Sequence, residues 1–165
     1  MYRICDWENK DAEVLALIAN NANIAQFMTN GFPHPYSLED AKKFIKMAIS
    51  HPTSIIKAIE IDHNLAGGIG LHPQNDIYQK NAELGFWLAE KYWGKGVMTN
   101  AIKDMIKIGF SSLDIDRIYA IPFGTNQGSI AVLEKAGFKL EAVLEKTIYK
   151  NGQFLDELIY AVRRN

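Results

Sequence analysis

Apolar residues recur with helical spacing in some segments of the chain and with strand-like spacing in others, and this sets the predicted order of elements. Residues 11–20 carry apolar side chains on one helical face and predict a first helix. A second helix begins after Ser37, because Ser-Leu-Glu-Asp resembles a capping box with Asp in place of Glu or Gln. Its apolar stripe ends at His51-Pro52, where the proline stops the helix.

Three strand-like runs follow the second helix. They lie at Ile55–Ile61, Leu65–Leu71 and Glu83–Leu88. The connection between the first two runs is short, which indicates a hairpin and therefore an antiparallel pair. A longer polar loop, residues 72–81, separates the second run from the third.

The second half of the chain alternates between helix and strand. Val97–Phe110 has the clearest helical pattern, with two adjacent apolar rows and a polar opposite face. The remaining elements are a strand, a short helix and two strands, at Arg117–Ile121, Ser129–Ala136, Phe138–Leu144 and Glu157–Val162, with an Asn151-Gly152 turn before the last. With one strand ahead of the first helix, this order predicts a mixed α/β sheet with helices on both faces.

Length and composition favour one globular domain that spans residues 1–165. The chain has 165 residues, of which 48% are hydrophobic and 22% charged, and no repeat or flexible linker divides it. Its formal net charge of -1 disfavours nucleic acid and anionic membranes as partners.

The sequence predicts neither a targeting segment nor a metal site. The first residues carry several charges, and the uncharged stretch 14–38 is rich in Asn and Pro, so neither a secretion signal nor a membrane span fits. Cys5 is the only cysteine, which excludes an internal disulfide and suits a reducing compartment, so we expect a cytoplasmic protein. The four histidines lack the spacing of metal ligands.

A glycine-rich loop directly before the Val97 helix carries the clearest chemistry. Gly94 and Gly96 allow the backbone to approach a ligand, and the unpaired amides at the start of a helix favour an anion such as a phosphate. Lys95 adds positive charge there. The Walker motif is absent, and the dinucleotide fingerprint lacks its third glycine because Thr99 stands in that position.

The loop Trp93–Met98 resembles the pyrophosphate loop of the GNAT superfamily of acyl-CoA-dependent N-acyltransferases, Gln/Arg-x-x-Gly-x-Gly/Ala, with Trp at its first position and Met at its last. Residues 126–141 resemble the family segment Asn-x-x-Ser-x-x-x-x-Glu-Lys-x-Gly-Phe-x-x-Glu. Residues 23–28 and 32–41 are similar to the amino-terminal part of the RimJ/RimL-type branch, which acetylates α-amino groups of ribosomal proteins. The resemblance covers nearly the whole chain.

The resemblance implies a GNAT fold, a mixed and largely antiparallel sheet with splayed central strands flanked by helices. The splayed pair would be Glu83–Ala89 and Arg117–Ile121. Acetyl-CoA would be the cosubstrate, with no metal. The residues implied for its binding are Phe86, Trp87, Leu88, Trp93, Gly94, Lys95, Gly96, Val97, Met98, Thr99, Asn126 and Ser129.

The implied chemistry is direct attack of a neutral amine on a thioester. It needs a base, an oxyanion donor and a proton for the departing thiolate. Many GNAT enzymes use a Tyr as the acid, but Leu133 occupies that position here, so Ser129 is the hypothesised donor; it also suits a helix cap. Glu83 is the candidate base acting through water, or else a solvated strand residue, and the backbone amides near Trp87 and Leu88 are the oxyanion candidates.

The chemical identity of the acceptor is the part of this interpretation that the sequence leaves open. His34, Tyr36, Trp87 and Phe123 are the candidate acceptor-binding residues. A protein or peptide N-terminal α-amine is the leading acceptor. The alternatives are a small-molecule acetyltransferase acting on a polyamine, aminoglycoside or amino acid, and a non-catalytic acyl-CoA-binding sensor. An acidic pocket would favour polycationic acceptors, and either a monomer or a homodimer is expected.

Overall fold

The seven strands of the computed structural model, which describes residues 1–164, form one sheet in the order β1-β2-β3-β4-β5-β7-β6. The strands are β1 Tyr2–Cys5, β2 Ile55–Ile61, β3 Asn64–Pro73, β4 Asn81–Leu88, β5 Arg117–Ala120, β6 Lys139–Lys150 and β7 Gln153–Arg163. The helices are α1 Ala12–Ala19, α2 Ala22–Ala25, α3 Leu38–Ser50, α4 Val97–Ser112 and α5 Gln127–Lys135. All neighbouring strands are antiparallel except β4 and β5. The predicted mixed α/β sheet is confirmed.

The capping box at the start of α3 forms as the sequence predicts. The Ser37 side chain accepts a hydrogen bond from the Asp40 backbone N–H at 3.1 Å. The Asp40 carboxylate accepts one from the Ser37 backbone N–H at 2.9 Å. The Ser37 hydroxyl also donates to the Asp40 carboxylate at 2.7 Å, and this bond together with the one from the Ser37 backbone holds the pKa of Asp40 below its usual range. The box satisfies amides that a helix start otherwise leaves unpaired.

Helices cover both faces of the sheet, and each face has its own apolar core. Ile102 and Met105 of α4 and Leu133 of α5 are fully buried in the first core. Leu15 of α1 and Ile45 of α3 are buried in the second. Because full burial of one such side chain contributes about 1.5–3 kcal/mol, these two cores hold the helices on the sheet.

The two central strands separate after a short parallel pairing. Asn81–Glu83 of β4 pair with Arg117–Tyr119 of β5, whereas β4 continues to Leu88. The end of β4 therefore keeps its antiparallel partner β3 on one edge and faces a gap on the other. This is the predicted splay of the central strands.

The carboxy-terminal hairpin is longer than the sequence pattern indicates. The strands were expected over 138–144 and 157–162, but β6 and β7 run up to a two-residue turn at Asn151-Gly152. Both turn residues have positive φ, 51° and 75°, which matches the expected tight turn. The prediction fell short because β6 is an outer strand with mostly exposed side chains, so its apolar alternation is weak.

Smaller differences concern the helices. α2 was not predicted, because it is only four residues long and therefore too short to show a helical apolar repeat. α5 begins at Gln127 and not at Ser129. Within residues 1–164, the structure contains no helix of the length and apolarity needed to cross a membrane.

Candidate active site

Two cavities meet beside the gap between β4 and β5. The first has a volume of about 590 Å³ and the second of about 420 Å³. Five residues line both cavities, namely Phe27, Met28, Phe86, Asn126 and Ser129. We call these five residues the junction. Molecules held in the two cavities would meet there.

The glycine-rich loop forms one wall of the first cavity. Gly94 and Gly96 have φ of 72° and 75°, in the left-handed region that favours glycine, and an added Cβ at either position would meet no atom within 4 Å. Gly96 is the residue before α4, and no side chain caps this helix. The first helical bond is from the Asn100 N–H to the Gly96 oxygen, so the amides of residues 97–99 are left for a ligand. This arrangement suits an anion.

Aromatic and basic side chains surround the same loop. The ammonium groups of Lys91 and Lys95 lie 4.9 and 5.6 Å from the centre of the Tyr92 ring, within the range of a cation–π contact. Trp93 donates its indole N–H to the Leu88 oxygen at 2.7 Å. This bond joins the loop to the end of β4, and it gives the Trp that replaces the family's Gln or Arg a structural role.

The twelve residues that were predicted to bind the cofactor all line the first cavity. Sequence reasoning missed other lining residues, among them Phe27 and Met28 after α2 and Lys135 at the end of α5. No motif marks these three, because they reach the cavity from segments far from the loop in sequence.

Asn126 and Ser129 form a reciprocal pair at the start of α5. The Asn126 side-chain oxygen accepts from the Ser129 backbone N–H at 3.1 Å, which makes Asn126 the helix cap. The Asn126 amide group also donates to the Ser129 hydroxyl oxygen at 2.8 Å. The alternative of Ser129 as the cap is wrong. Its oxygen is an acceptor here, so its own hydrogen is left to point at the junction.

The register of β4 fixes which of its amides face the gap. Ala89 donates its N–H to the Ala66 oxygen of the β3 side at 2.7 Å. Successive amides of a strand point to opposite edges, so the N–H groups of Leu88 and Phe86 face the gap and that of Trp87 faces β3. Of the two predicted oxyanion donors, the geometry favours Leu88 over Trp87.

Glu83 lies in the second cavity, at the point where β4 and β5 part. Its side chain is half-buried. Burial raises the pKa of Glu83, and the nearby carboxylate of Glu157 raises it further. The pKa of Tyr119, on the paired strand, is raised by its burial and by Glu83. A carboxylate with a raised pKa is a better proton acceptor for an amine.

Three acidic residues, Glu90, Glu141 and Asp156, do not join Glu83 in an acidic acceptor pocket. Glu90 accepts bonds from two Asn side chains near α2, and Glu141 pairs with arginines of β5 and β7. Asp156 accepts from a backbone amide of β6. The second cavity contains Glu83 together with Glu157, which the sequence did not single out because β7 brings it to the cavity from the far end of the chain.

Two of the four predicted acceptor-binding residues line one of these cavities, and two do not. Phe123 lines the second cavity, and Trp87 lines the first. His34 is exposed, and Tyr36 is buried with its ring centre 5.0 Å from that of Phe32; neither residue lines either of the two cavities described above. Burial raises the pKa of Tyr36 to about 12, so its hydroxyl stays protonated at neutral pH.

Within residues 1–164, the structure places no three His, Cys, Asp or Glu side chains where they could hold a metal ion.

Comparison with known families gives one match that covers most of the chain. The family described as acetyltransferase (GNAT) domain matches residues 3–139. The match includes the glycine-rich loop and residues 126–139 of the segment that begins at Asn126.

A curated relative matches along nearly the full length. YdaF of Bacillus subtilis (strain 168), named as a candidate ribosomal N-acetyltransferase, is 30% identical over 161 residues. The alignment covers 94% of this chain and 87% of YdaF.

Two solved structures share the fold. RimL, a ribosomal L7/L12 alpha-N-protein acetyltransferase in complex with coenzyme A, superposes with a TM-score of 0.88 at 22% identity over 98% of this chain and 93% of that one. MccE, a microcin C7 self-immunity acetyltransferase in complex with acetyl-CoA and AMP, gives a TM-score of 0.86 at 28% identity over 99% and 92%.

Proposed function

We propose that this chain, which belongs to the GNAT acetyltransferase family, transfers an acetyl group from acetyl-CoA to the N-terminal α-amine of a protein or peptide. That it is an acyltransferase using acetyl-CoA follows from the family, and the alternative of a non-catalytic sensor is not retained. The observation that carries the proposal is the junction, where an apolar and a carboxylate-bearing cavity meet beside the unpaired edge of β4.

The first cavity would hold acetyl-CoA. The free amides of residues 97–99 would bind the pyrophosphate, and Lys95 would add attraction for its charge. The gap-facing amides of Phe86 and Leu88 would bind the pantetheine arm and the thioester. The thioester would then lie at the junction, within reach of an amine in the second cavity.

The residues around the junction suffice for direct transfer. Glu83 would take a proton from the amine, directly or through one water, while the amine nitrogen attacks the thioester carbon. The Leu88 N–H would stabilise the oxyanion. When the carbon–sulfur bond breaks, the Ser129 hydroxyl would give its proton to the thiolate. An α-amine suits this base, because its pKa of about 7.7–8.0 leaves it partly neutral at pH 7.

A small-molecule amine is the second candidate acceptor. It is favoured by the second cavity, which holds two carboxylates, Glu83 and Glu157. Against a polycation stands the separate pairing of Glu90 and Glu141 with other side chains, which leaves only two acidic groups there.

The deciding experiment is CoA release from acetyl-CoA with a panel of amines. Peptides with free α-amines should give saturable turnover, and the same peptides with acetylated termini should give none, because only the former present a neutral amine to the junction. Spermidine, an aminoglycoside and free amino acids complete the panel. Turnover confined to these small molecules would replace the proposed acceptor class.

Substitution of Gly96 by alanine tests the phosphate site. A residue with a Cβ pays about 1–2 kcal/mol in the left-handed conformation that Gly96 adopts. The binding-competent loop is then less populated, and we expect the Kd for acetyl-CoA to rise roughly tenfold by calorimetry. Gly152→Ala is the matched control, because Gly152 has the same φ of 75° in a hairpin turn and lines neither cavity. Equal effects of both variants on the Kd would remove the loop from the binding site.

A further inference from the structure

The segment 25–30, between α2 and α3, covers the junction but has few bonds to the sheet. Phe27 and Met28 line both cavities, and Thr29 and Asn30 line the second. The backbone bonds of this segment are local turns, such as the one from the Met28 N–H to the Ala25 oxygen at 3.1 Å. Ala25 is buried and Met28 packs against the second core, so a polar connection to the sheet has to come from a side chain.

Lys150 supplies that connection from the tip of the β6–β7 hairpin. Its ammonium group donates to the Ala25 oxygen at 2.6 Å and also to the Met28 oxygen. Among the hydrogen bonds of residues 1–164, these two are the ones that join segment 25–30 to the sheet. The two accepting carbonyls flank Phe27 and belong to the turn whose side chains line the junction.

The ammonium group of Lys150 acts as a half-buried hydrogen-bond donor and not as a solvated surface charge. The side chain is half-buried and lines the second cavity beside Tyr149. Burial lowers the pKa of Lys150. Within residues 1–164, no carboxylate lies within 4.0 Å of its nitrogen, so the carbonyls of segment 25–30 are its partners. Two carbonyls on one ammonium make charge-assisted bonds.

We propose that Lys150 is a positioning residue, which holds segment 25–30 over the junction and through Phe27 and Met28 sets the path by which the acceptor amine reaches the thioester. The effect of Lys150 on turnover rests on the proposed function. The bonds from Lys150 to segment 25–30 do not depend on any acceptor. Lys150 touches no reacting atom. It acts through the two side chains that it holds in place.

The test compares Lys150→Met with the matched control Lys139→Met. Met keeps the apolar stem and removes the ammonium, and Lys139 is an exposed lysine at the other end of the same strand. Hydrogen exchange should become faster within residues 26–32 of K150M and stay unchanged in K139M. Hydrogen exchange needs no acceptor. It therefore tests whether Lys150 holds segment 25–30 even if no amine of the panel is acetylated.

The kinetic arm uses whichever amine turns over. Because a displacement of about 1 Å costs up to a hundredfold, K150M should lower kcat/KM for the acceptor by about tenfold to a hundredfold. The Kd for acetyl-CoA should change by less than about threefold, since the loop at residues 94–99 is untouched. Lys150→Arg should restore most of the loss. Unchanged exchange in K150M, equal losses in K139M, or no recovery in K150R would overturn the proposal.

Discussion

Replacement of Ser129 by alanine is expected to lower kcat about a hundredfold or more, because a general acid contributes about 10²–10⁴-fold to such a reaction. The thiolate would then have to leave without the proton of the Ser129 hydroxyl. Binding of acetyl-CoA should be nearly unchanged, since the loop amides at residues 97–99 remain. The measurement is single-turnover CoA release with saturating acetyl-CoA, so that chemistry and not product release is observed.

This variant keeps the cap of α5 and loses one bond, from the Asn126 amide to the Ser129 hydroxyl. The cap of α5 uses the backbone N–H of Ser129 and the side chain of Asn126, so alanine preserves the bond that starts the helix. Ser111→Ala is the matched control, because that hydroxyl donates to the Ile108 oxygen at the far end of α4. Single-turnover rates that agree within a factor of about two among parent, S129A and S111A would exclude Ser129 as the acid.

Glu83→Gln is expected to lower kcat/KM for the acceptor by about a hundredfold or more, because it removes the candidate base. The parent rate should rise with pH through the raised pKa of Glu83, since only the ionised carboxylate accepts a proton. In E83Q that rise should disappear and leave only the titration of the acceptor amine. The measurement is a pH profile of kcat/KM for parent and variant with the same acceptor.

Glu157→Gln gives the companion profile. Without the neighbouring negative charge the pKa of Glu83 should fall, so the rise should move to lower pH while the maximal rate is largely retained. The titration of the acceptor is common to all variants and cannot produce this displacement. A profile that is the same in E83Q and in the parent would assign the base to another group.

Loss of the Glu83 carboxylate should raise the stability of the protein at neutral pH, whereas it should lower the activity. The pKa of Glu83 is higher in the folded chain than in the unfolded one, so its protonated form favours folding. That contribution is complete below the unfolded pKa and is lost as the pH rises through the folded one. At neutral pH the half-buried carboxylate therefore costs stability, and E83Q should melt at a higher temperature than the parent.

The fold was largely readable from the sequence because its signals are local. The Ser37 box and the apolar rows of α4 depend on neighbouring residues, so spacing alone predicts them. The glycine loop is local in the same way. The predicted strand was shorter than edge strand β6, because an exposed strand does not need the alternation of apolar and polar residues that reveals a buried one.

The residues around the acceptor could not be predicted from local sequence patterns. Lys150 and Glu157 come from the carboxy-terminal hairpin and Phe27 from the residues after α2, and nothing in their local sequence shows that they approach β4. His34 had been placed near the acceptor by resemblance, yet its loop leaves it exposed. Contacts between remote segments depend on the packed chain, and loops of this kind vary even where the fold is shared.

The short pairing of β4 with β5 also bears on how the chain holds together. Three residue pairs form the ladder between β4 and β5, and in residues 1–164 this short ladder joins the strands β1–β4 to the strands β5–β7. Acetyl-CoA lying along the open edge of β4 would act as a missing length of strand and brace the two halves of the sheet. The cosubstrate would thus serve as part of the scaffold, and the chain should resist heat and proteases better in cells rich in acetyl-CoA than in starved ones.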